Sequence, residues 1–202
     1  MIYAVIAVVL SYLLGSVSFS IVIARLVKGI DIREHGSGNA GATNTIRVLG
    51  KGPGLLCFVL DFGKGIAAVF IGRWLGLDEG VDWTPAICGL AAIMGHNWPI
   101  YFNFKGGKGI ATTIGAIAAL AFVPALIAGV VTIIVIAITR YVSLGSLIFA
   151  ALTPVLISIF YFSAPVLTVS LILCVFAFVR HRSNIVKLLQ GTENKLGAKK
   201  GS

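Results

Sequence analysis

Between two long apolar runs lies Asn103-Phe104-Lys105-Gly106-Gly107-Lys108-Gly109, with three glycines and two lysines in seven residues. Glycines let backbone N–H groups converge on an anion, and a lysine adds a mobile positive charge. The pattern from Ile110 onward predicts a helix, which puts those amides near its positive end, where phosphate is favoured. A nucleotide P-loop is a poor match, because the Gly-x-x-x-x-Gly-Lys-[Ser/Thr] spacing and a preceding buried strand are both missing. Alone, the stretch reads equally well as a turn whose lysines hold one face of a membrane protein. A second polar segment, Asp31 to Lys51, concentrates Ser37, Asn39, Thr43, Asn44 and Arg47 among glycines, which suits a binding loop better than a linker. A third, from Arg180 to Glu193, sets His181 and Asn184 three apart, on one face of a continuing helix.

The elements that position these segments are apolar. Of 202 residues, 58% are hydrophobic and 11% charged, and mean hydropathy is +1.01. A soluble domain carries roughly a quarter charged residues. Apolar runs of about 20 residues predict a polytopic helical membrane protein; a β-barrel would alternate along its strands. The net charge of +9 does not argue for nucleic acid, since lysines and arginines are spread between spans instead of massed on one face. Cys57, Cys88 and Cys174 sit in apolar runs without metal or redox spacing and are expected as buried free thiols. No cleavable signal peptide is expected, so Met1 to about Val27 is a first span, its N-terminus outside and Arg25 and Lys28 in the cytoplasm.

A second span, Leu55 to about Leu77, contains Asp61 and Lys64 on one helical face, read as a structural ion pair ahead of a substrate contact. Asp78, Glu79 and Asp82 form an acidic outer loop beside Trp74 and Trp83. The third span, Pro85 to about Tyr101, carries His96, read as a hydrogen-bonded structural histidine. Ile110 to Thr139 is too long for one simple crossing. Folding it back near Pro124 returns Arg140 and the C-terminal basic residues to the cytoplasm and leaves the outer loops without lysine or arginine. Its limbs, of about 13–15 residues, would be only about 20 Å long, short or partly re-entrant. Leu144–Phe162 and Pro165–Val179 complete the spans.

The expected fold is all-α, with about seven transmembrane helices. Residues 1–194 form one membrane domain with cytoplasmic motif segments at 31–51, 103–110 and 180–193; residues 195–202 form a basic disordered tail. This topology gathers the three polar segments on one membrane face. Ser37, Arg47, Lys108, His181 and Asn184 then make a set rich in phosphate-binding groups and poor in carboxylates, suited to an anionic substrate with one or two phosphates.

The same segments carry a resemblance. Gly36-Ser37-Gly38-Asn39, Gly41-Ala42-Thr43-Asn44 with Arg47, Asp61-Phe62-Gly63-Lys64-Gly65, Gly95-His96, Phe104 to Gly109, His181-Arg182-Ser183-Asn184 and Gly191-Thr192-Glu193 occur in order across nearly the whole chain. They resemble the bacterial acyl-phosphate:glycerol-3-phosphate acyltransferases, the PlsY family. The resemblance implies a membrane enzyme of phospholipid synthesis that makes 1-acylglycerol 3-phosphate and phosphate from acyl phosphate and glycerol 3-phosphate. It needs neither cofactor nor metal. It implies a monomer in the bacterial inner membrane, with its site facing the cytoplasm. Gly106, Gly107 and Gly109 would cradle the acyl-phosphate phosphoryl group. Lys108, Arg47, His181 and Asn184 would bind glycerol 3-phosphate, Ser37 would orient a substrate, and Asn39, Asn44 and Glu193 would belong to the binding site. Ser37, Arg47, Lys108 and His181 are the catalytic candidates.

The chemistry is compatible. A mixed anhydride is already activated, so the protein needs to hold two phosphates and stabilise charge without supplying a nucleophile. His-x-x-x-x-Asp, the acid–base motif of the larger glycerolipid acyltransferase family, is missing: Ala40, Tyr101 and Val186 follow His35, His96 and His181 at that spacing. The general base is therefore open between His181 and the substrate's own phosphate. The competing reading is a transporter or binding protein for a phosphorylated small molecule. It would place polar residues at the bilayer midplane and show internal repeats.

Overall fold

A computed structural model describes residues 1–76 and 83–197; the acidic loop residues Asp78, Glu79 and Asp82 lie outside them. The described chain is helical: α1 (Ile2–Ser16), α2 (Phe19–Lys28), α3 (Ala42–Leu49), α4 (Lys51–Leu75), α5 (Trp83–Asn97), α6 (Ile110–Leu120), α7 (Phe122–Thr139), α8 (Val142–Phe160), α9 (Ala164–Arg180) and α10 (Arg182–Leu189). The α1–α2 pair, α4, α7 and α8 are each long and apolar enough to cross a membrane. With α5, α6 and α9 they make about seven passes among the described residues, with α3 and α10 left to the loop face.

The first span breaks at Val17–Ser18, between α1 and α2. Inside a bilayer such a break would strand carbonyls without donors. Lys64, on α4, reaches across and donates to the carbonyls of Gly15 at 2.9 Å and Val17 at 2.8 Å. Asp61 holds the Lys64 ammonium at 2.8 Å, and both side chains are buried. The expected ion pair is thus real, and it ties α4 to the kink of the first span.

Helices in lipid associate by close van der Waals packing, for which small residues are suited. A Cβ at Gly65 of α4 would strike the Thr112 carbonyl of α6, and one at Gly115 of α6 would strike the Phe62 carbonyl of α4. Gly15 and Gly95 make the same close approach between α1 and α5. Val69, Ile93, Ile117, Ile157, Val166 and Leu173, from five helices, form the main apolar core around the buried α6.

The long apolar run folds back as expected. The first turns of α6 and the last turns of α7 line one cavity. The turn falls at Ala121 (φ −145°, ψ 81°), three residues before Pro124, which sits inside the first turn of α7. Proline is tolerated there because that N–H has no helical partner. The limbs are therefore unequal, 11 and 18 residues. Arg73, near the far end of α4, donates to the Ala119 carbonyl at 2.8 Å and satisfies the end of the short limb.

Candidate active site

The first polar segment is an ordered loop followed by α3. Asp31 caps a 3-10 turn, Ile32–Glu34, and holds Arg33 in a two-pronged ion pair at 2.9 and 2.6 Å. This guanidinium keeps the Asp31 carboxyl at about 2. Another nitrogen of Arg33 donates to the carbonyls of Phe102 at 3.0 Å and Lys105 at 3.3 Å, binding the first segment to the glycine-lysine loop. Asn44 is buried within the first segment. Its amide donates to Ile32 and His35 carbonyls, and its oxygen accepts from the Ser37 N–H at 2.8 Å. Both amide protons are consumed. Asn44 therefore holds the shape of the loop that presents Ser37, instead of offering donors to a ligand.

The glycine-lysine loop departs from the expected phosphate cradle in two places. The Gly107 N–H donates to the His96 carbonyl at 3.1 Å, and a Cβ on Gly106 or Gly107 would run into His96 or Ala40. These two glycines allow the loop to lie against the end of α5 and the first segment. Lys108 and Gly109 reach the cavity; Gly109 has φ +77°, in the region that favours glycine, immediately before α6. The N-terminus of α6 with Lys108 beside it concentrates the positive charge that an anion would meet.

The third segment bends by 60° between α9 and α10, at His181. His181 is buried, with Nδ1 at 2.7 Å from the Ala177 carbonyl. A carbonyl only accepts, so Nδ1 carries the proton and Nε2 keeps a free lone pair. The Lys108 ammonium donates to the Asn184 side-chain oxygen. The Asn184 amide donates to Glu193 Oε1 at 2.8 Å, and Ser143 donates to the same oxygen at 3.1 Å. This chain of bonds links the glycine-lysine loop, the third segment and α8. Burial pulls Lys108 down to about 8, against the raising effect of Glu193 and with help from the Arg180 and Lys187 charges.

One cavity of about 420 Å³ collects these groups. Ser37, Asn39, Arg47, Lys108, Gly109, His181, Asn184 and Glu193 all line it, together with Asn44. Gly106 and Gly107 do not. Arg47 has no side-chain partner among the described residues, so its guanidinium is available to an anion. Phe58, Ile114, Ile136 and Val142 add apolar surface to the lining.

Matching of the sequence to family models finds glycerol-3-phosphate acyltransferase over residues 5–191. The chain belongs to the glycerol-3-phosphate acyltransferase family. It is 53% identical over 205 residues to the glycerol-3-phosphate acyltransferase of Shouchella clausii, covering 98% of this chain and 99% of that protein. It is 55% identical to that of Halalkalibacterium halodurans, over 94% of each chain. Crystal structures of PlsY (YgiH), an integral membrane glycerol 3-phosphate acyltransferase, share its fold. The glycerol 3-phosphate form has a TM-score of 0.90 at 40% identity, covering 96% of both chains. The lysophosphatidic acid form has 0.87 at 39%, covering 96% of this chain and 95% of that one. This chain is accordingly a membrane-bound acyltransferase.

Within this acyltransferase fold, three groups carry more than their sequence positions announced. Ser143 stands just before the Leu144–Phe162 run and has no role in the sequence reading, yet its hydroxyl donates to Glu193 Oε1. His96 is the hydrogen-bonded histidine expected, but it also lines the cavity. Lys64 lies 3.0 Å from its Nδ1, and an ammonium only donates, so Nδ1 is the acceptor and Nε2 carries the proton. Arg180, one of the C-terminal basic residues that mark the cytoplasmic side, turns inward to the carbonyls of Gly106 and Gly107.

Proposed function

We propose that the chain transfers a fatty acyl group from acyl phosphate to the sn-1 hydroxyl of glycerol 3-phosphate, giving lysophosphatidic acid and inorganic phosphate for phospholipid synthesis. The observation that carries this reading is the mixed lining of one cavity, in which Arg47, Lys108 and the start of α6 stand with the apolar side chains Phe58, Ile114, Ile136 and Val142. The apolar side chains suit an acyl chain, and two phosphate groups need the cations. Acyl phosphate as donor rests on the family resemblance and on chemistry that asks no nucleophile of the protein.

Lys108, Arg47 and Asn184 bind glycerol 3-phosphate, with Ser37, Asn39 and the amides around Gly109 completing the anion contacts. Glu193 holds Asn184, which in turn receives Lys108. Attack of the hydroxyl oxygen on the acyl carbon forms the ester C–O bond. The anhydride C–O bond breaks, and phosphate leaves with the electron pair. The hydroxyl proton passes either to the free Nε2 of His181 or to a substrate phosphate. His181→Ala with an unaltered shape of pH–rate profile would remove the histidine as base.

By family resemblance the protein works as a monomer in the bacterial inner membrane; the distribution of lysine and arginine favours the N-terminus outside and the cavity facing the cytoplasm. Purified protein given palmitoyl phosphate and glycerol 3-phosphate should yield lysophosphatidic acid and phosphate in equal amounts. Palmitoyl-CoA should not replace the donor. Product from palmitoyl-CoA at a comparable rate would refute the donor assignment.

A further inference from the structure

Arg180 sits at the end of α9, one residue before His181, and does not line the cavity. Its guanidinium lies over the Trp98 ring, 5.5 Å from the centroid, and Trp98 is packed edge-on against Phe176 of α9. One terminal nitrogen donates to the Gly107 carbonyl, and to that of Gly106 at 3.3 Å. On the other side of the loop, Arg33 takes the carbonyls of Phe102 and Lys105. Four carbonyls of one short loop are therefore turned to two arginines. A carbonyl facing the cavity would repel a phosphate; with these drawn outward, the side that meets the substrate keeps Lys108 and the α6 N-terminus.

The geometry points to Arg180 as a positioning residue for the acyl transfer: by holding the Gly106 and Gly107 carbonyls, it orients the loop so that Lys108 reaches Asn184 and the substrate phosphate. This rests on the acyltransfer reading above. It joins the second and third segments at the point where both enter the cavity, so it acts through Lys108 and touches no substrate itself.

The electrostatic surroundings give a readout that a purely structural role would not move. Lys108 faces Arg180, His181, Lys187, Asn184 and Glu193 from the third segment, Arg47 from the first, and Asp61 and His96 across the cavity. Arg180 is one of the cations that disfavour the charged Lys108. Removing it lets Lys108 keep its proton to higher pH.

The test compares wild-type protein with Arg180→Met and Arg180→Lys in palmitoyl phosphate-dependent lysophosphatidic acid formation. Folding is checked by size exclusion and thermal unfolding in detergent. Misorientation of a loop costs roughly 10- to 100-fold in kcat/KM, the loss expected for folded Arg180→Met, and its alkaline limb should move upward. Arg180→Lys keeps the charge but loses the planar stack and reach, so the limb should stay while kcat/KM falls severalfold. Folded Arg180→Met with kcat/KM within twofold of wild type, or with an unmoved limb, overturns the assignment. Should the methionine variant not fold, Arg180→Lys decides: full wild-type kcat/KM overturns it. An inactive wild-type protein would instead refute the acyltransfer reading.

Discussion

At the residue scale, the pH behaviour follows Lys108. In the proposed reaction its charged form binds phosphate, and burial lowers it to about 8, so charge is lost as pH rises through that value. The expected profile of kcat/KM for glycerol 3-phosphate therefore falls above about pH 8, and Lys108→Arg, which stays protonated, should remove that limb. Lys108→Ala should cost on the order of 100-fold or more in kcat/KM, the scale of losing one preorganised donor to developing charge. Asn44→Ala predicts a different kind of loss. Without its amide, the Ile32 and His35 carbonyls and the Ser37 N–H lose their shared partner. Stability should fall by about 1–3 kcal/mol, measured by thermal unfolding in detergent. Residue types alone pointed to the anion-binding set, because Arg47, Lys108, His181 and Asn184 are the polar groups that a membrane protein would otherwise avoid. They did not distinguish Asn44 from Asn184. The two amides differ only in what the folded chain brings within reach of each.

At the element scale, the glycine-lysine loop and the α4 charges carry the contrasts. A methyl group on Gly107 would meet the Ala40 carbonyl and His96 Nε2, whereas one on Gly129 in α7 meets open space. Gly107→Ala should therefore lose most activity through displacement of the loop. Gly129→Ala should keep activity and match or exceed wild-type stability, by up to about 1 kcal/mol. Activity and unfolding of the two variants, measured side by side, check this. Lys64→Met leaves the Gly15 and Val17 carbonyls without their donor and the Asp61 carboxylate without its countercharge in the membrane. A broken buried pair costs about 3–5 kcal/mol, and Asp61→Asn combined with Lys64→Met should recover part of it. Sequence reasoning placed the spans and the fold-back but misjudged the turn. Proline was taken as the breaker, whereas Pro124 sits where a helix tolerates it, and the chain turns at Ala121. The kink between α1 and α2 was not anticipated either. Its signal was the serine cluster Ser16, Ser18 and Ser20 inside an apolar run, and its partner, Lys64, lies far away in sequence.

At the scale of the whole molecule, seven passes bring three separated segments to one face, and their joint cavity is what the amino-acid order leaves implicit. The fold-back of α6 and α7 is the step on which this convergence depends: it returns Ile136 and Val142 to the side of Ile110. The segment expected to be a disordered tail begins differently. Leu196 exchanges hydrogen bonds with Arg140, and Lys195 lies over Tyr141. Residues 198–202 lie outside the described residues. The orientation makes its own prediction. A cysteine replacing Ser163, between α8 and α9, should react with a membrane-impermeant thiol reagent in intact cells, and one replacing Lys195 only after permeabilisation. The reverse pattern would invert the topology.

The central claim is acyl transfer from acyl phosphate in the shared cavity. Its most direct test follows phosphate and lysophosphatidic acid together, in lipid, from palmitoyl phosphate and glycerol 3-phosphate, with Lys108→Ala beside the wild type. Equal yields of the two products, lost in a folded Lys108→Ala protein, are the predicted result. Phosphate released without lysophosphatidic acid, or full activity in the Lys108→Ala protein, would contradict it.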